Sequence, residues 1–172
     1  MMDVISFLRM DAEMAHWEFN GTTADVTAES LHHGPRASEA TVASAMAHVV
    51  FAEDNLIHGI FQGKQPLATT TFTGKTGISE PSMMNSPEWV KSVRLDLGPF
   101  REYAAAVFNA TEQYIAALKE SDLDRELDLT NWGMGKVSLG WGFALLLIGH
   151  IHDITGEISA LKGAQGFKGY PF

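Results

Sequence analysis

Apolar residues recur at helical spacing through four long stretches of this 172-residue chain, and few stretches alternate at the strand period. That pattern constrains the fold most, because helices with one apolar face must bury those faces against one another. The first stretch predicts a helix from about Asp3 to about Asn20, with Ile5, Leu8, Ala12, Met14 and Trp17 as its apolar positions. Ser38 is suited to cap a second helix that runs to about Gln62 and is closed by Gly63. Ser86-Pro87-Glu88 starts a third region, which extends to about Lys119 with an interruption expected near Gly98-Pro99. Ser138 caps a fourth, through about Lys162.

The connections are longer than minimal. Residues 64–85 are rich in Thr, Gly, Pro and Ser and form a link rather than a domain boundary, since neither half alone carries enough core. An acidic link, ESDLDRELDL, and a Gly-rich one, NWGMGK, precede the last helix. The tail GAQGFKGYPF is expected to fold back over the helices. The expected architecture is all-α: a single domain over residues 1–172, built as a four-helix bundle with a short tail packed on it.

Composition narrows the function. Twelve Lys and Arg against 21 Asp and Glu leave a net charge of −9, which repels a phosphate backbone or an anionic membrane. No nucleic-acid or membrane partner is expected. There are no cysteines, so disulfides, zinc–thiolate sites and cysteine nucleophiles are excluded. The N-terminus lacks the pattern of a signal peptide, and the apolar run 141–151 is roughly half a bilayer span. A cytoplasmic protein is the expectation. The apolar content of the first two helices permits a homodimer.

Seven histidines are the remaining chemical signal. In the segment LLLIGHIHDITGEISALKG, His150 projects into the apolar stripe of Phe143, Leu147 and Ile154, with Asp153 at i+3 and Glu157 at i+7 on its near edge. His152 lies about 160° away and should face solvent or a loop. An inward imidazole beside carboxylates suits a metal or acid–base site. Spacing alone suits still better a buried histidine bonded to a neighbouring helix. On the second helix, Val42, Ala45, Met46, Val49, Leu56 and Ile60 define the core stripe, with His48 at its margin among small residues. Glu53 falls inside the stripe and needs a partner, for which Arg9, Arg36 or Arg101 are candidates. His58 falls on the far side of the helix from His48, and His16, His32 and His33 carry no compelling geometry. Phosphate loops, nucleophile elbows, H-E-x-x-H and the E-x-x-H pairs of di-iron bundles are absent.

The order of AHVVFAEDNLI, HIHDITGEI and the tail SALKGAQGFKGYPF resembles the DinB-like superfamily of bacterial four-helix-bundle proteins, over nearly the whole chain. The resemblance implies a divalent ion, zinc or nickel, held by three histidines: one on helix two and two on the last helix at i and i+4. His48 matches the first position and His150 the second, but the third is Ile154, and Asp153 is the nearest replacement donor. Some members use such an ion to activate a low-molecular-weight thiol in transfer or isomerisation. The resemblance therefore leaves two readings. In one, His48, His150 and Asp153 hold a metal that serves a thiol transferase or hydrolase acting on a small-molecule substrate. In the other, the site has decayed and the bundle is a non-catalytic small-molecule binder or dimeric scaffold.

Overall fold

Asp3 opens the first helix, its Oδ1 accepting from the Ser6 amide at 2.7 Å. In this computed structural model, which describes residues 2–32 and 40–172, helix α1 then runs Val4–Thr23. A one-turn helix α2 (Ala28–Leu31) comes next, capped by Thr27. Ser38, the expected cap of the next helix, lies outside the described residues, as do His33 and Arg36. Helix α3 (Val42–Asp54) begins instead after Thr41, which exchanges bonds with Ser44 in a reciprocal cap. It continues without a break into a π-helical segment, Asn55–Ile60, and ends at Gly63, whose φ of 64° is the left-handed stop expected of it.

Ser86 caps α4 (Pro87–Ser92), with Pro87 at the first helical position as read from sequence. The interruption, however, falls at residues 93–96, ahead of Gly98-Pro99. There Leu95 bridges Ile78, and the Ser79 amide donates to the Arg94 carbonyl at 2.9 Å. The backbone is thus spent on the 64–85 connection. Gly98 and Pro99 sit in the first turn of α5 (Leu97–Ala117), where a proline removes no helical bond.

The all-α expectation is corrected at the next link. Glu126–Leu129 forms strand β1 and Gly135–Ser138 strand β2, an antiparallel hairpin with Leu127 opposite Val137. Leu127 and Leu129 point into the core while Glu126 and Asp128 face out, the period-two alternation that ELDL carries. Ser138 then caps the last helical segment, its Oγ accepting from the Trp141 amide at 3.1 Å. That segment begins as α6 (Leu139–Trp141), widens into a π-helix over Gly142–Gly149, and finishes as α7 (His150–Ala164).

The protein is mostly helical with this small sheet appended. Helix α1 packs on α5 and α7, and α3 packs on the same two, so the core lies among four long helical segments. The tail folds back: Phe172 stacks on Trp17 at 6.0 Å, and Pro171 comes so close to Gly21 that a Cβ there would lie 2.6 Å from it. Among the described residues, no helix is long and apolar enough to cross a membrane.

One expected core face is corrected. Met14 and Trp17 are exposed, together with Phe7 and Met10, while Ala12, Ala15, His16 and Phe19 face inward. Helix α1 carries two apolar stripes, and the one with alanines admits the closer approach of α5 and α7.

A candidate ligand cleft at a histidine pair

Helix α3 is buried on nearly every side, and His48 and Phe51 are its exceptions between Val42 and Asp54. His48 is half-buried at the wall of a cleft of about 190 Å3. Across the cleft stands His150, the first residue of α7, with the two Nε2 atoms 3.1 Å apart and the rings nearly perpendicular at 85°. The structure therefore brings together the two histidines singled out in the sequence.

Both π-helical segments border this cleft. The first supplies Leu56, the second Leu145 and Leu146. Wide turns of this kind offset the register of the helix beyond them, and they recur at functional sites. Gly149 makes the second one feasible, because a Cβ there would sit 2.7 Å from the Ala144 carbonyl oxygen. The glycine that precedes His150 thus fixes where that imidazole points.

The mouth comes from the two connections. Met83 of the 64–85 link and Trp132, in the turn between β1 and β2, complete the lining. The link is held down by Asp54, a fully buried carboxylate. Its oxygens accept from the Leu67 and Ala68 amides at 2.9 and 2.8 Å and from the Tyr103 hydroxyl at 2.8 Å. His58 Nδ1 adds a fourth contact at 2.8 Å. The Tyr103 hydroxyl is held far above its ordinary pKa by burial and by the Asp54 charge.

Electrostatics makes the pair neutral. Burial, and then the repulsion of His150, pushes His48 down to about 4. Burial also lowers His150, with the charges of Asp153 and Glu53 opposing it in part. His48 Nδ1 is buried and has no partner among the described residues. A proton there would leave an unsatisfied donor, whereas a proton on Nε2 can be donated to His150. The favoured arrangement has His48 Nε2–H donating to His150 Nε2.

The other residues picked out in the sequence lie apart from this pair. Asp153 is exposed on the outer side of α7, and Ile154 is partly buried against the core. His152, about a third exposed, also reaches a partner: its Nδ1 pairs with Glu18 Oε2 of α1 at 2.8 Å. Glu157 is half-buried, and that burial raises its pKa.

None of the three arginines pairs with Glu53 among the described residues. Its Oε1 contacts His16 Nε2 at 2.9 Å and accepts from the Thr111 hydroxyl. Arg9 is engaged by Glu13, and Arg101 donates to the Ala24 carbonyl. His16 is the residue that sequence reasoning passed over. It lies in the Ala12, Ala15, Phe19 stripe, and that inward position was the available signal. Burial works to lower His16, but the charge and hydrogen bond of Glu53, with the Glu112 charge, outweigh it and raise the pKa.

Whether these residues suit a metal can be judged from the donors. Two Nε2 atoms 3.1 Å apart are spaced like neighbouring ligands on an ion held at about 2.0–2.1 Å. The rest of the set fails. Ile154 offers no lone pair, and among the described residues His48 Nδ1 finds no acceptor of the kind that normally orients a ligating imidazole. Among the described residues, no group of three or more His, Asp or Glu could hold an ion. The described residues do not supply a three-ligand divalent centre.

A mostly helical fold with imidazoles converging between α3 and α7 defines a class: helical proteins that build a site from inward side chains of facing helices. The particular family is given by the sequence. The DinB superfamily model matches residues 13–153, and the chain belongs to that superfamily. Among solved structures, the conserved protein of locus from Enterococcus faecalis is 22% identical with a TM-score of 0.73, over 96% of each chain. That likeness shows the shared fold. No curated protein matches the chain.

Proposed function

We propose that this DinB-superfamily protein is a small-molecule binder built on a four-helix bundle, with the His48–His150 pair as the polar end of an apolar cleft. The observation that carries the reading is the direct Nε2–Nε2 contact in a cleft otherwise lined by apolar side chains. Hydrophobic walls with few convergent polar groups are the usual make-up of a ligand site. The alternative, a divalent ion on the same pair serving thiol or hydrolytic chemistry, is favoured by the nitrogen spacing alone.

Metal analysis of protein purified without a polyhistidine tag separates the two. The binder reading expects no stoichiometric metal and no gain in thermal stability on adding zinc or nickel. One ion per chain, lost in His48→Ala, would overturn it.

We also propose that the chain forms a homodimer through α1. Phe7, Met10, Met14 and Trp17 succeed one another at helical spacing on its exposed face, and Phe172 extends them. At about 200 Å2 for a large side chain, they expose roughly 530 Å2. This matches the apolar share, about 65%, of a homodimer interface of about 800 Å2 per partner. Light scattering on a sizing column should return twice the chain mass, and Trp17→Glu combined with Met10→Glu should halve it. A monomeric parent protein would refute the dimer.

A further inference from the structure

The cleft lining also restricts what can be bound. Among the described residues, no Asp, Glu, Lys or Arg lines it. The two imidazoles occupy each other in one N–H···N contact, which requires a lone pair on at least one ring and so excludes a doubly charged pair. An anion entering the cleft would lose its hydration and gain no permanent counter-charge from the described lining, and the chain's net charge of −9 would repel it on the way. A cation would find no carboxylate among the described lining residues. A neutral molecule loses little.

Size and shape add to this. At the packing density of protein interiors, about 0.75, a 190 Å3 cleft admits a van der Waals volume of roughly 140 Å3, about ten or eleven non-hydrogen atoms. Trp132 and Leu145 keep large apolar surfaces exposed at the rim, and Met83 offers a polarisable thioether beside them. A flat ring can lie against this rim while a group that both donates and accepts reaches the histidines.

We propose that the cleft takes a neutral, two-ring-sized aromatic alcohol, whose hydroxyl replaces the His48–His150 contact by donating to one imidazole and accepting from the other. The inference rests on the cleft being a ligand site. It adds the chemical class: hydroxylated and uncharged, with Trp132 as the aromatic wall.

The test uses three probes of one shape against the full-length protein: 2-naphthol, 2-naphthoate and 2-naphthylmethylammonium. Binding is read by calorimetry and by the imidazole resonances of His48 and His150. The neutral alcohol should bind about tenfold tighter than either ion and shift both imidazoles. Trp132→Ala should weaken it roughly tenfold. His48→Ala should weaken it several-fold and erase its advantage over naphthalene. The proposed class is overturned if 2-naphthoate binds as tightly as 2-naphthol, and chelator-sensitive naphthoate binding would assign the preference to a metal. If none of the probes moves either imidazole, the ligand-site reading itself fails. Binding of 2-naphthol untouched by both variants would place it elsewhere on the protein and also refute the proposal.

Discussion

Two histidines on different helices have opposite fates in this molecule. His16 of α1 is almost fully buried but meets the buried Glu53 carboxylate, stacks on Phe108 at 4.1 Å, and is driven towards its charged form. His48 of α3 is less buried but meets only another imidazole and apolar walls, and is driven to its neutral form. Partner chemistry, more than depth, sets the charge. The pair with a counter-charge is architecture, tying α1 to α3. The neutral pair, at an open cleft, is free to exchange partners.

The largest effect should come from breaking the first pair. Glu53→Ala leaves His16 without its counter-charge and Thr111 without its acceptor, and should cost about 3–5 kcal/mol in chemical denaturation. His48→Ala, at a half-buried site with one neutral bond, should cost about 1 kcal/mol or less. Equal costs would erase the distinction between the two sites. Next comes Gly149→Ala, which forces a Cβ against the Ala144 carbonyl. It should lose about 1–3 kcal/mol and displace the His150 imidazole resonance.

Smaller effects appear with pH. The raised pKa of His16 contributes stability that is fully present below about 6.5 and lost as pH rises through its folded value. His48 acts in the opposite sense: the unfolded chain binds its proton first, so stability falls as pH drops from about 6.5 towards 4. Urea midpoints of His48→Gln should therefore lose less on acidification than those of the parent protein. Finally, Ile154→His supplies the donor that the family pattern has one turn after His150. It should make the chain take up about one zinc ion with tighter binding than the parent protein shows, read by calorimetry. Unchanged behaviour would mean that position 154 does not reach the pair.

Much of the fold was legible because it rests on local chemistry. Ser86-Pro87, Ser138 and Gly63 mark helix ends by the bonds and φ angles they permit, and each does so here. The His48–His150 pair was also visible, from register on one helix and from the family motif on both. What escaped was non-local. ELDL has the strand alternation, yet its four residues lie in a link whose acidity reads as solvated loop, and pairing with Gly135–Ser138 decides the matter. The π-helical segments leave little trace, since they alter backbone register without altering residue type. Glu53 clearly needed a partner, but choosing His16 over an arginine requires knowing how α1 rotates. The two apolar stripes of α1 left that open.

Imidazole nitrogen-15 NMR of the full-length protein between pH 4 and 8 tests the contrast most directly. The account predicts that His16 titrates above its ordinary 6.5, while His48 stays neutral until about pH 4 with its proton on Nε2. A His48 that protonates near 6.5, or a His16 already neutral at pH 6, would contradict it.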